Sequence, residues 1–492
     1  MTKNIIVKNP SICFIITFSR STSCILQGKS EPIKLAETIN IKIKMENKGI
    51  SLRVLILYNN IKLVKQIYKY LTNMLKLLFV SHNPYIISGY GIQLYYLINK
   101  LYSSIKEVEI RVICFNQEGI ETHINSPVLA KDYLKMREKN ESNPSIIDKN
   151  SRMYNELLLY FNGKITYDIP KGIYWQKIHQ IFLGYNCDKM IIFMDLWPFE
   201  KYNIHNISCE KYLWLPVHNN FLLNPLIKNN EFYSLETRNL WHLPYFTKIA
   251  TFSQFGVSVL QSYLYDPFFL NHVVDKNFFY NTKNKKDLRK TYRINEDDYI
   301  CLIVARNSES NDRKGYLSQF EAFATFSKNK PNCKLIIHDN HTFSLEKGMT
   351  NLKEKAISLG ILTKIVVTDS SFIPKERIRD LYNLSDVLLC ASRSEGFGIP
   401  IVEAQFCDLL VITNKCTSMP ENTYFGVSVE PEKISYTINN QNSWSDPSPE
   451  KIACVLEDFY NNQLDKYNIK PIPKEKYDID NVFEDWKKFL NI

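Results

Sequence analysis

The stretch Ser-Arg-Ser-Glu-Gly-Phe-Gly-Ile-Pro-Ile-Val-Glu-Ala, residues 392–404, holds the sharpest chemical signal in the chain. Two carboxylates, Glu395 and Glu403, stand in a Glu-x7-Glu spacing around Gly396, Phe397 and Gly398. The apolar run Val387–Cys390 before them reads as a buried strand. Pro400 suits the first turn of a helix. Strand, glycine turn and helix in that order bring backbone N–H groups to a ligand at a helix N-terminus. The spacing leaves Glu395 in the turn and carries Glu403 one helical turn inside. Carboxylates at two depths suit a hydroxyl-rich ligand such as a sugar with a ribose. The bland alternative is a capped helix with a glycine turn and a solvated Glu. Glycine is scarce, 15 of 492 residues where roughly 7% is usual, so a compound glycine motif favours the ligand reading.

A second group of residues lies in Cys-Leu-Ile-Val-Ala-Arg-Asn-Ser-Glu-Ser-Asn-Asp-Arg-Lys-Gly. Arg306 follows a buried strand, at the carboxyl end where α/β sheets bind ligands. Lys314 opens the next helix. Together they could grip a diphosphate by charge-assisted hydrogen bonds, or they are two solvated surface cations. Gly89 and Gly91 also follow a strand and precede a helix, but lack the full dinucleotide fingerprint. They are either a phosphate-facing loop or an ordinary turn. His218 and His272 each follow a strand-like run, and each reads equally as a cleft-facing group or a hydrogen-bonded structural residue. Histidines and cysteines show no metal-ligand spacing, and nucleophile-elbow, HExxH and Walker A patterns are missing. No metal and no cofactor are expected.

Two series of elements must position these groups. Lys76–Ser81, a helix through Ile92–Leu101, Val108–Phe115, Met190–Met194, Tyr212–Pro216 and Ile249–Ser253 form the first. Tyr299–Ala305, Lys334–His338, Lys364–Thr368, Val387–Cys390 and Leu409–Ile412, with helices near 315–328, 351–359, 375–384 and 400–406, form the second. Such alternation implies parallel sheets and an α/β fold. The charged stretch 281–290 reads as an interdomain linker. Residues 131–170 read as an insertion or acceptor loop, and Val482–Phe489 as a short amphipathic helix.

The formal charge is +10, but residues 1–73 carry twelve Lys/Arg against three Glu, leaving +1 for residues 74–492. That distribution argues against nucleic acid as a partner of the body. It permits peripheral membrane contact through the extension, where Leu52–Val80 reads as a basic amphipathic helix. Ile12–Phe18 gives a weak leader signal. Met74 resembles a natural domain start. The 11 cysteines read as reduced core thiols of a cytoplasmic protein.

Residues 381–413, Leu-Tyr-Asn-Leu-Ser-Asp-Val-Leu-Leu-Cys-Ala-Ser-Arg-Ser-Glu-Gly-Phe-Gly-Ile-Pro through Val-Ile-Thr, resemble the donor-site segment of family 4 retaining glycosyltransferases. Residues 304–315, "ATFSQFGVSVLQ" and "NHVVD" resemble other segments of that family, and the likeness covers roughly residues 75–435. It implies a GT-B fold, with two Rossmann-like doubly wound parallel-sheet domains facing a cleft. The expected organisation is a basic extension over 1–73, an acceptor-side domain over 74–280, a donor-binding domain over 281–473 and a helical tail over 474–492. The resemblance implies a hexose moved, with retention, from a nucleotide-diphosphate sugar to a hydroxyl of a glycan, lipid or protein-linked acceptor. Arg306 and Lys314 would neutralise the diphosphate. Glu395 and the backbone of Gly396–Gly398 would hold the sugar, and Glu403 the ribose. Phe372 and Ile373 would lie beside the base, and Gly89 and Gly91 over the phosphates. Independently of the resemblance, His218, if it faces the cleft, is a further catalytic candidate beside Glu395, Arg306 and Lys314. Asp408, Leu410 and Val273 depart from the family's usual Gly, Pro and Gly. A nucleotide-sugar epimerase on the same fold and a non-catalytic sugar-binding protein are the rival readings.

Overall fold

The computed structural model of the chain describes residues 3–9, 12–18, 40–44, 51–55, 75–82, 89–105, 107–115, 165–168, 187–196, 207–219, 242–306, 311–338, 350–368, 375–436 and 443–492. Two compact units emerge, one of Met1–Lys76, Ile105–Arg111 and Ile146–Thr166, the other of Leu77–Ser104, Val112–Ser145 and Tyr167–Ile492. In the first, β1 (Lys3–Asn9), β2 (Ile12–Phe18), β3 (Asn40–Lys44) and β4 (Ser51–Leu55) form an antiparallel sheet in sequence order. Two expectations fall on this part of the chain. Ile12–Phe18, which carries the leader signal, is a strand paired along its length with β1, Ile5 opposite Ile16. The amphipathic helix expected over Leu52–Val80 begins in one strand and ends in another, with 56–74 outside the described residues. Runs rich in β-branched Ile and Val fit a pleated ribbon better than a helix.

Two Rossmann-like layers follow along the chain. In the first, β5 (Leu75–His82) leads into α1 (Gly89–Ser104), then β6 (Val108–Phe115), β7 (Ile165–Asp168), β8 (Lys189–Ile192), β9 (Glu210–Trp214), β10 (Lys248–Thr251), α2 (Gln254–Ser262) and β11 (Phe268–Phe269). The sheet order is β11-β10-β9-β8-β5-β6-β7, and the run from β5 through β8, β9 and β10 to β11 is parallel. Continuous apolar runs such as Leu77–Val80 and Met190–Ile192 are fully buried, as a sheet covered on both faces requires. β7 falls inside the stretch read as an acceptor loop; the rest of 131–170 lies outside the described residues.

The second layer begins with α3 (Lys285–Thr291), followed by β12 (Tyr299–Val304), α4 (Tyr316–Ser327), β13 (Cys333–His338), α5 (Leu352–Ser358), β14 (Ile365–Val367), α6 (Lys375–Leu384), β15 (Val387–Cys390), α7 (Ile399–Phe406), β16 (Leu410–Asn414) and β17 (Gly426–Val429). The order β14-β13-β12-β15-β16-β17 is parallel throughout. A hairpin of β18 (Lys433–Tyr436) and β19 (Ser443–Asp446) precedes α8 (Pro449–Tyr460) and α9 (Ile479–Leu490). The charged stretch 281–290 is mostly helix rather than open linker. Its Arg289 is buried, ion-paired to Asp386 at 2.7 Å and bonded to the Leu384 carbonyl at 3.0 Å. Charge counting places that stretch in solvent, whereas an arginine paired with a half-buried carboxylate can leave it.

Several contacts join the layers. α9 returns to the first, where Trp486 meets Trp214 edge-on at 4.8 Å and Lys248 Nζ donates to the Phe489 carbonyl at its C-terminal end. Within the first layer, Gln93 in α1 accepts from Val273 N at 2.7 Å and donates to Val273 O at 2.9 Å. Glu421, beyond β16, accepts from the N–H groups of Gln254 and Phe255 at 2.7 and 3.2 Å. That carboxylate caps the positive end of α2 from the opposite layer. Glu421→Ala should therefore cost about 1 kcal/mol, read as a fall of a few degrees in thermal midpoint; an unchanged midpoint would show that the cap holds nothing.

Candidate donor site

Each sheet has one point where strand order reverses, and ligands bind outside the carboxyl ends of strands at such points. In the first layer it lies between β5 and β8, and in the second between β12 and β15. His82 ends β5 and Asp195 follows β8; Arg306 follows β12 and Ser392–Glu395 follow β15. The topology thus delivers the candidate residues to the two switch points.

Glu395 is buried, 7% exposed, in the turn before α7. Lys314 Nζ reaches its Oε1 at 2.5 Å and Arg313 Nη1 its Oε2 at 3.6 Å. Ser392 Oγ donates to Oε1 at 2.7 Å. Burial alone would raise this carboxyl; the charges of Lys314 and Arg313 and the two hydrogen bonds prevail and hold it at about 2. It is an anion throughout the working pH range. Its backbone is also fixed, because Thr417 Oγ1 accepts from Glu395 N at 3.1 Å and Ser418 Oγ donates to Glu395 O at 2.9 Å.

Gly398 caps α7 with φ +84°, in the left-handed region, where a side chain would be strained. Pro400 falls in the first turn. A Cβ at Gly396 would stand 3.0 Å from the His218 ring, so its missing side chain lets the turn pass beside that imidazole. Gly89 opens α1, and a Cβ there would lie 3.6 Å from Ile399 Cδ1. The N-terminal ends of α1 and α7 therefore approach one another, two positive helix ends at one place. Gly91 is buried within the first turn of α1, so both glycines belong to the helix rather than to a preceding loop. Residues 83–88 lie outside the described residues.

Glu403, 9% exposed, accepts from Tyr382 OH at 2.8 Å. Arg306 is exposed. Burial and the nearby Arg306 charge lower His82 to about 4, and its ring meets Tyr90 at 4.8 Å. Tyr90 OH donates to Asp195 Oδ2 at 3.2 Å. His218 Nδ1 is buried without a hydrogen-bond partner among the described residues. Burial, with Arg313 and Lys314 against Glu395, lowers the ring to about 4, so it is neutral near pH 7. Its carbonyl accepts from Ser394 Oγ.

Other expected residues stand apart. Phe397 is buried against His272 at 4.6 Å and Tyr477 at 6.2 Å; its ring anchors the turn. His272 stacks on Phe252 at 4.1 Å, which makes it a core group rather than a cleft-facing one. Phe372 and Ile373 lie outside the described residues. Sequence reasoning passes over Arg313, Ser392, Thr417, Ser418, Tyr90 and Asp195. Arg313 stands next to Lys314, and Ser392 lies within the Glu395 motif, so proximity in sequence could flag both. Thr417 and Ser418 give no signal of their own.

The architecture is the GT-B fold. Residues 284–434 match the family model described as Glycosyl transferases group 1. The chain is similar in fold to a glycosyltransferase from Rickettsia africae ESF-5, at 17% identity and TM-score 0.53, covering 85% of this chain and 99% of that one. It is likewise similar to Anabaena Alr3699/HepE in complex with UDP and glucose, at 12% identity and TM-score 0.56, covering 85% and 99%. A stretch of 49 residues is 41% identical to the phosphatidylinositol N-acetylglucosaminyltransferase GPI3 subunit of Saccharomyces cerevisiae, 10% of this chain and 11% of that subunit. The chain thus spans about a tenth of the length of the curated relatives it matches.

His272 generates a pH prediction. Burial lowers it to about 3, so the fold favours neutral imidazole. Its contribution is complete above pH 6.5 and is lost as pH falls toward 3. Between pH 6.5 and 5 the loss is about 2 kcal/mol. His272→Phe should flatten the decline of thermal midpoint over that interval; an identical slope would contradict a buried neutral histidine.

Proposed function

We propose that this protein is a retaining glycosyltransferase that moves a hexose from a nucleoside-diphosphate sugar to an acceptor hydroxyl. The observation that carries the reading is the buried Glu395 carboxylate held by Lys314 and Arg313 beside two converging helix N-termini. A charged group that accepts hydrogen bonds and cations that bind anions sit together, as a sugar joined to a diphosphate demands. The group 1 match over 284–434 supports the class of reaction. The similar Anabaena HepE is a complex with UDP and glucose, which makes a UDP-linked hexose the first donor to test.

In this reading the free protein satisfies its cations with Glu395. The entering diphosphate takes over Lys314 and Arg313, with Arg306 at its exposed end, and Glu395 turns to the sugar hydroxyls. Charge builds on the diphosphate as the glycosidic bond breaks, and the same cations stabilise it where it develops. A carboxylate held at about 2 is a weak base, so Glu395 positions the sugar and does not take the acceptor's proton. The leaving phosphate takes that proton on the face of departure, which gives retention. Neutral His218, with its unpartnered Nδ1, lends a hydrogen bond beside Gly396. The Glu403 carboxylate holds the ribose, sharing it with Tyr382.

Lys314→Ala and Arg306→Ala should each weaken nucleoside-diphosphate binding roughly 10- to 100-fold; the thermal midpoint should stay nearly unchanged in Arg306→Ala and fall in Lys314→Ala, which leaves the buried Glu395 carboxylate short of its partner. Calorimetric affinities equal to the parent's in both would remove the diphosphate assignment. Glu395→Gln should cut kcat sharply with UDP-hexose, since its contact strengthens in the transition state. Glu403→Gln should instead lose the parent's preference for ribo- over 2′,3′-dideoxy-nucleotides. Retention of that preference would place the ribose elsewhere.

A further inference from the structure

Far from the donor residues, two cysteines face each other at the amino ends of neighbouring strands. Cys187 stands two residues before β8 and Cys209 one residue before β9. The strands are parallel with Lys189 opposite Glu210, and Glu210 N donates to Asp188 O at 3.3 Å. The sulfurs are 3.6 Å apart. That register sets Asp188 opposite Cys209 and Cys187 one residue off, a diagonal of about 6 Å from a strand spacing of about 4.8 Å and a rise of about 3.3 Å per residue, inside the usual Cα range for a disulfide of about 4.4–6.8 Å. The sulfurs have to close from 3.6 Å to a bond length of about 2.05 Å. Both thiols are partly exposed, unlike the buried Cys301, Cys333, Cys390 and Cys407.

We infer that Cys187 and Cys209 form a dithiol site that reduces a small-molecule disulfide of the glutathione class and closes to an intramolecular bridge. The two sulfurs are not equivalent. Cys187 Sγ donates to Cys209 Sγ, and Lys211, whose Nζ is held at the Cys209 carbonyl at 3.3 Å, adds positive charge there. The hydrogen bond first and the Lys211 charge after it lower the Cys209 thiol, while the same hydrogen bond and burial raise Cys187. Cys209 thiolate attacks one sulfur of the oxidant, breaking its S–S bond, forming a mixed disulfide and releasing one small thiolate. Cys187 loses its proton and attacks Cys209 Sγ, forming the bridge and displacing the second small thiolate. Two protein thiols are oxidised, and one disulfide is reduced to two thiols. Thiol–disulfide exchange of this kind favours the sulfur with more thiolate character.

The pair lies at the opposite strand ends from Asp195 and His218, so this inference stands or falls apart from the glycosyl-transfer reading. The test incubates the full chain in mixed reduced and oxidised glutathione, quenches with an alkylating agent and maps peptides by mass spectrometry. Cys454, an exposed thiol, is the internal reference. A bridged peptide pair of Cys187 and Cys209 should form at oxidant levels that leave Cys454 largely free, and dithiothreitol should reverse it. Cys187→Ser should trap glutathione on Cys209, while Cys209→Ser should leave Cys187 alkylated. Nucleoside-diphosphate affinity should be equal in bridged and reduced protein. The inference is overturned if both thiols stay alkylated when Cys454 is already modified, or if Cys209 traps no glutathione in Cys187→Ser.

Discussion

A buried carboxylate is tolerated only when charge and hydrogen bonds compensate its lost water, and Glu395 is the group whose demands organise this molecule. Lys314 and Arg313 approach it from the loop after β12, and Ser392 from the end of β15. Those two strands are neighbours in the sheet although α4, β13, α5, β14 and α6 separate them in sequence. The reversal of strand order between them is what brings cation and anion within one hydrogen bond. Thr417 and Ser418, from the far end of β16, then fix both peptide groups of the same residue. Three strand ends therefore converge on a single side chain.

The other layer covers that arrangement through few but specific contacts. Gly396 leaves room for His218, Ser394 bonds the His218 carbonyl, and Glu421 caps α2. Phe397, in the same turn, adds ring contacts with His272 and Phe252 of that layer. Polar contacts of this size can exchange with a ligand, whereas the Trp486–Trp214 packing of α9 on the first layer provides apolar burial.

Much of this is legible in the sequence because parallel strands buried on both faces are written as unbroken apolar runs. Tyr299–Val304, Cys333–His338, Val387–Cys390 and the glycine turn before Ile399 fall where the pattern puts them. The separation of Glu395 in the turn from Glu403 in the helix also follows from spacing alone. The ion pair does not. In sequence Lys314 reads as a free cation for phosphate, since a linear chain cannot say that β12 and β15 are adjacent. Arg289 reads as part of a solvated linker for the same reason, its partner Asp386 being 97 residues on. Asp408 marks a subtler limit. Its φ of +57° is that of a residue where glycine is usual, and Asn281 Nδ2 donates to its carboxylate at 3.1 Å, a compensation that only the fold reveals.

We propose that, in the free protein, Glu395 occupies cations that the diphosphate must take over. Calorimetry with UDP alone on Glu395→Gln and on the parent tests this most directly. Removing the carboxylate's charge while keeping its shape frees Lys314 and Arg313, so the variant should bind UDP more tightly than the parent, most clearly at low ionic strength where charge is least screened. If the variant binds UDP as the parent does, or more weakly, the Lys314–Glu395 pair does not compete with the diphosphate and the account is wrong.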